Sequence, residues 1–378
     1  MAKSGDIRLD DVIQLTGRLV AIDSVTKNSN RAVTSYLQDV LSQAGFDVEA
    51  SEYRDAAGEA KVNLVARKGS GVGGLGFFAH SDTVPGTGWD RDPWQAVVEG
   101  GRLTGLGSCD MKGPLAAAII AGSRLDAARL RRPLYLVITA DEENRSYGAP
   151  KLIEASTLLS QNWPTHEIVI EPTGLTPVYA HKGSVMITIT AHGRAAHTST
   201  DAGISANFLM APFLAEMAQL AQEVKADPAL QNPDFNPPTL GFNMTIDDHG
   251  CKHNVTAAQT TCGLCFRPAP GDASDALVTR ITDSAHQYGF DVQASVRRPF
   301  SIDPASELVH AAVEAVGGTR PATVCYGSDA FIFQHHLNLV LLGPGDIAQA
   351  HTSGEWINTG QLHQAVDIYE KLVHMLCT

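Results

Sequence analysis

Four short apolar runs, each delivering charged or metal-binding residues at its end, constrain this chain more than any bulk property. Leu75 to His80 leads into Asp82, and Leu134 to Ala140 leads into Asp141, Glu142 and Glu143. Ile168 to Val169 and Ile170 lead into Glu171, and a run ending at Leu342 precedes the segment Gly343 to His351. Stretches with helical apolar spacing lie between and before them, at Asp10 to Gly45, Lys112 to Ala128 and near Ala149 to Leu159. Short apolar strands alternating with helices predict an α/β fold with a mainly parallel sheet covered by helices. Open sheets of this kind carry their sites at the carboxyl ends of the strands, where these acids and histidines fall.

The texture changes after Lys182. Val185 to Ala191 alternates apolar and polar residues, which predicts a sheet with one wet face. A long helix (Ile204 to Val224), strands at Thr239 to Ile246 and Ala257 to Phe266, a helix (Ala273 to Tyr288) and a strand (Asp291 to Arg297) follow. The order β-α-β-β-α-β predicts an inserted, ferredoxin-like α+β domain over 184–296. Residues 1–183 and 297–378 then form the other domain, since helix and parallel-strand texture returns from Glu307 onward.

A length of 378 residues suits two domains better than one core. With 41 acidic against 28 basic residues the net charge is −13, and the positive charges are scattered, which argues against nucleic acid and anionic membranes as partners. The N-terminus has no apolar leader and no run approaches a membrane span, so a cytoplasmic protein is expected. Cys262 and Cys265 form a lone C-x-x-C in a strand-like segment with no second ligand pair, and packing thiols are the expectation there.

The strand-end residues suggest a particular chemistry. His80 and Asp82 lie two apart, on one face of a strand, and a metal-bound imidazole needs its second nitrogen held by such an acceptor. Asp110 sits in the Gly-rich loop Gly105 to Gly113, just before a helix, where a helix cap is the alternative reading. Glu142 and Glu143 are adjacent, so in extended chain one can bind metal while the other faces a substrate. Together with Glu171 and His351 these residues make an oxygen- and nitrogen-rich set suited to two divalent ions. Such a pair can polarise a carbonyl and hold a nucleophile at once.

The segments H-S-D-T-V-P, G-S-C-D-M-K-G, A-D-E-E, I-E-P-T, A-H-K-G and G-P-G…A-H occur in the order found in the M20 metallopeptidases. Over nearly its whole length the chain resembles the acetylornithine deacetylase and succinyl-diaminopimelate desuccinylase branch of that family. The resemblance implies two Zn2+ per chain, with Co2+ or Mn2+ as substitutes. His80 and Glu171 would hold one ion, Glu143 and His351 the other, and Asp110 would bridge them. Asp82 would stand behind His80, and Glu142 would be the general base that activates a bridging water. It further implies that the inserted domain is a lid and dimerisation domain, carrying His197 as an oxyanion donor, often across a homodimer interface. Asn254, Arg267, Gly327 and Ser328 match substrate-side positions, where the planar fork of an arginine suits a carboxylate.

The implied reaction is removal of an N-acyl group from a small amino-acid derivative, most like acetylornithine deacetylase. A dipeptidase or carboxypeptidase on the same fold, or a succinyl-diaminopimelate desuccinylase, is the alternative. The loop after His197 lacks the basic residue expected before Gly203, which leaves the acyl group and amino acid open. Gly71 to Gly76 matches G-x-G-x-x-G but leads into a strand instead of opening a helix, so a dinucleotide site is not expected. G-x-S-x-G and H-E-x-x-H are both missing from the sequence.

Overall fold

A computed structural model describes Leu9 and residues 11–378. The chain divides into two compact units: 1–179, 302–322 and 328–378 form one, and 180–301 with 323–327 form the other.

In the first unit, the strands Leu134–Thr139, Leu75–His80, His166–Val169 and Asn338–Leu341 lie side by side and parallel. Ala60–Lys68 and Asp47–Arg54 extend this core as antiparallel strands beyond Leu134–Thr139. Every residue of Leu75–His80 and Leu134–Thr139 is buried, which explains runs that are apolar without alternation; His166–Val169 is buried as well, although it opens with His166 and Glu167. Helix Gly113–Ser123 is apolar on all sides, and all but its last residue are buried. Its neighbours include helices Val12–Val20 and Thr359–Cys377. Asp11 caps the first of these by accepting from the N–H groups of Ile13 and Gln14.

The sequence predicts one helix near Ala149 to Leu159, whereas the structure has two, Gly148–Ala155 and Thr157–Gln161. Ser156 ends the first and caps the second through a bond from Leu159 N–H. Similarly, the helix expected from Lys112 to Ala128 stops at Ser123 and is followed by a short turn, Ala127–Arg129, started by Asp126.

The second unit has strands Ser184–His192, Asn243–Asp247, Gln259–Phe266 and Asp291–Arg297, with helices Ala206–Ala226 and Ser274–Gln287 between them in the β-α-β-β-α-β order. Its sheet runs Asn243–Asp247, Gln259–Phe266, Ser184–His192, Asp291–Arg297, antiparallel throughout. Val185, Ile187, Ile189 and Ala191 point to one side and pack with Phe213, Met217 and Ile281 of the two helices. Cys262 packs in this core, and all six cysteines are free thiols.

Candidate metal centre

The parallel strands of the first unit end together, and their last residues build a cluster. His80 is buried at the tip of Leu75–His80. Its Nδ1 donates to the backbone carbonyl of Asp82 at 3.0 Å, with the Asp82 carboxylate at 3.7 Å. That contact turns Nε2 toward Asp110, whose Oδ1 lies 3.0 Å away. The other Asp110 oxygen, Oδ2, is 3.3 Å from His351 Nε2. One carboxylate thus serves two imidazoles, one through each oxygen, which is the disposition required of a bridging ligand. Glu143 Oε1 approaches the same His351 nitrogen at 2.8 Å.

Two ligand sets result. His80, Asp110 and Glu171 offer ligand atoms all within 4.8 Å of one another, and so do Asp110, Glu143 and His351. Glu171 arrives from the strand next to that of His80 and is buried. Gly343 must pass so close to this strand end that a side chain there would strike the carbonyls of Ile170 and Glu171. The close passage leads the chain through the loop that carries His351.

The turn after Leu134–Thr139 differs from the extended chain that the sequence suggests. Asp141 has a positive φ of 55°, a conformation that Asp tolerates better than most residues. Its buried carboxylate is held by Lys61 Nζ at 2.8 Å, by the Tyr53 hydroxyl at 2.8 Å and by Thr26 Oγ1 at 3.2 Å. Past it, the N–H groups of Glu142 and Glu143 both donate to the Asp82 carboxylate, each at 3.2 Å. The two glutamates are therefore separated by a clamped turn and not by the pleat of a strand. Asp82 has a further task beyond the histidine: it ties that turn to the neighbouring strand end.

Electrostatics favour cations here. Burial pushes the Glu142 carboxyl well up, reinforced by Asp329, Glu171 and Glu143. Burial and Asp110 do the same to Glu171. Hydrogen bonds with Asp110 and Glu143 push His351 up to about 11. For Asp110, burial acts upward, yet the bonds from His351 and His80 outweigh it and hold the carboxyl well below its usual range. These shifts, the His351 imidazole up and the buried Glu142 and Glu171 carboxyls up, run in the directions expected where buried acids crowd together. Two divalent ions would offset that crowding, and a donor set of carboxylates and imidazoles without thiolates suits zinc or other borderline to hard cations.

Two acids near the cluster escape the sequence reading. Glu355 is buried and accepts from the N–H groups of Gly107, Cys109 and Asp110. Asp329 is buried, accepts from Thr139 Oγ1 at 2.6 Å, and raises the Glu142 and Glu171 carboxyls. Neither ends an apolar run, the signal that marks His80, Glu142, Glu143 and Glu171.

The remaining expected site residues are placed as follows. His197, in the second unit, is exposed, and its Nδ1 accepts from Ser199 N–H at 3.3 Å. The backbone joins it to the Asn254 segment, with Thr198 N–H donating to the Asn254 carbonyl at 3.1 Å. Asn254 and Arg267 have exposed side chains, and Arg267 N–H donates to the Leu240 carbonyl. Gly327 is the last residue of the second unit, while Ser328 is buried in the first and accepts from Ala330 N–H.

With this geometry in place, likeness to known proteins decides the family. Residues 76–375 match the model described as peptidase family M20/M25/M40. The chain belongs to that family. An acetylornithine deacetylase of Myxococcus xanthus is 33% identical over 373 residues, covering 95% of this chain and 96% of its own. A second relative of that name, from Proteus mirabilis, is 31% identical, with 98% of both chains covered. Among solved structures, an M20 metallo-carboxypeptidase of Sulfolobus solfataricus has a TM-score of 0.76 at 17% identity, covering 96% of this chain and 98% of that one. A protein of Bacillus subtilis described as a dinuclear metal-binding M20 peptidase has a TM-score of 0.65 at 16% identity, with 97% of both chains covered. This M20 chain is a metallo-amidohydrolase, an enzyme acting on amides. Among the described residues, no helix is long and apolar enough to cross a membrane.

Proposed function

We propose that this M20 enzyme removes the acyl group from a small N-acylated amino acid, as an acetylornithine deacetylase does, with two zinc ions held by the cluster. The observation that carries the reading is the Asp110 carboxylate, which offers one oxygen to His80 and the other to His351. Its two oxygens join the set containing Glu171 to the set containing Glu143. Bound there, two divalent ions would supply Lewis-acid polarisation of the amide carbonyl and would lower the pKa of the attacking water.

The chain's own residues supply the rest. Glu142 takes the proton from the attacking water and returns it to the leaving nitrogen, because an amine cannot depart unprotonated. His197 donates a hydrogen bond to the carbonyl oxygen as it gains charge. With Nδ1 accepting from Ser199 N–H, the proton of a neutral ring lies on Nε2, the tautomer a donor needs. Asn254 and Arg267 bind the substrate carboxylate, and Gly327 and Ser328 line the substrate side. The second unit also mediates a homodimer; the exposed Phe208 and Ile246 on its helix and edge strand support this.

The names of the full-length relatives favour the deacetylase over a dipeptidase or carboxypeptidase, whose likeness lies at lower identity. Assaying the purified enzyme with N-acetylornithine, N-succinyl-diaminopimelate, N-acetylcitrulline and a dipeptide panel tests the choice. N-acetylornithine is expected to give the highest kcat/KM; a dipeptide turned over faster would replace the proposal.

A further inference from the structure

Asp110 belongs to both ligand sets, so its placement decides whether two ions can share it. It sits on a Gly-rich loop, and Gly107 before it adopts a positive φ of 77°. Such a loop does not stiffen itself. Three of its N–H groups point at one side chain: Glu355 Oε2 accepts from Gly107 at 2.8 Å, and Oε1 accepts from Cys109 at 2.8 Å and Asp110 at 2.9 Å. Glu355 is only 1% exposed, so these bonds are sheltered from water. Its backbone adds a fourth tie, the Glu355 carbonyl accepting from Gly105 N–H at 2.9 Å. The next residues, Trp356–Asn358, pair antiparallel with Arg102–Thr104, immediately before the loop.

Glu355 also stands four residues after His351, joined by a tight turn in which Glu355 N–H donates to the Thr352 carbonyl at 3.2 Å. We infer that Glu355 is a positioning residue: by gripping the Gly107–Asp110 backbone from the His351 loop, it sets the spacing between the shared carboxylate and the second imidazole. The inference rests on the two-ion reading above. Its specific consequence concerns the Asp110, Glu143 and His351 set, which loses its fixed spacing if the grip is released. The His80, Asp110 and Glu171 set keeps His80 and Glu171 anchored on adjacent strands.

Glu355→Gln tests this with little change of shape. An amide has one acceptor oxygen where the carboxylate has two, and its NH2 would face a backbone N–H, so at least one bond is lost. The chelator-stripped full chain is titrated with zinc as wild type and as Glu355→Gln, and both stripped forms are melted. The wild type should bind two ions. In the variant, affinity for the weaker ion should fall about 10- to 100-fold, the usual effect of losing a partner that orients a metal ligand. The stripped variant should melt somewhat below the stripped wild type, because a buried bond is lost. If the variant binds both ions as tightly as the wild type, the inference is overturned, whatever happens to turnover or melting. If the wild type binds no zinc, the two-ion reading itself falls and takes the inference with it. Should Glu355→Gln not fold, hydrogen exchange on the stripped wild type decides. Slow exchange at the Gly107, Cys109 and Asp110 amides supports the grip, and exchange at the rate of open loops overturns it.

Discussion

The two units handle their polar residues in opposite ways. In the first, the charged groups of the cluster lie at the ends of buried strands and are locked by partners distant in sequence, as Asp141 is by Lys61, Tyr53 and Thr26. In the second, the proposed functional side chains of His197, Asn254 and Arg267 are exposed and sit on loops or at a strand end, and their segments are held by backbone bonds, such as Thr198 N–H to the Asn254 carbonyl, while the side chains face solvent. A site that must hold several like charges close together needs a rigid, dehydrated frame. Groups that select a substrate need only a stable platform and can change without disturbing that frame. One expected departure from the family pattern, around Thr198 to Gly203, falls in the second unit.

Substitution at the acidic turn probes that division most severely. Glu142→Gln should lower kcat by about 10² to 10⁴, the range for general acid–base catalysis, with metal content unchanged. Glu143→Gln should instead lose metal. Metal analysis beside steady-state kinetics separates the two, and exchanged behaviour would exchange the assigned roles.

A smaller effect is expected in the second unit. His197→Ala should lower kcat by about 10² to 10³, as for loss of one oxyanion donor, while metal content and melting stay at wild-type values. Unchanged turnover would remove the second unit from the chemistry. If the variant instead lost metal, the separation drawn between the units would be wrong.

The frame itself was only partly legible in the sequence. Apolar runs ending in His80, Glu142–Glu143 and Glu171 stand out because a buried strand must be apolar and its exit need not be. The second unit's alternation was equally plain, since one wet face imposes a period of two. By contrast, Asp141 looks like one more acid in a row. Its pairing with Lys61 and Tyr53 depends on where an antiparallel strand lands, which no local pattern records. The same holds for Glu355, an isolated acid four residues beyond His351, and for Asp329, which reaches Thr139 from a short helix. The left-handed turn at Asp141 was also hidden, because the sequence signal for such turns is usually glycine.

The smallest predictions compare one hydrogen bond in each unit. Tyr53→Phe removes a donor from the buried Asp141 carboxylate and should cost about 1.5 to 3 kcal/mol of stability. Ser199→Ala removes an exposed hydroxyl 2.8 Å from His197 Nδ1 and should cost no more than about 0.5 kcal/mol. Urea unfolding of the chelator-stripped variants measures both. Equal costs would mean that burial does not distinguish the two networks.

The central claim, two ions sharing Asp110, is tested most directly by titrating the stripped chain with zinc while following metal content and N-acetylornithine turnover together. Two ions should bind per wild-type chain, with turnover rising as they do, and Asp110→Asn should weaken both. A wild-type preparation shown to hold no metal, yet turning over fully, would contradict the account.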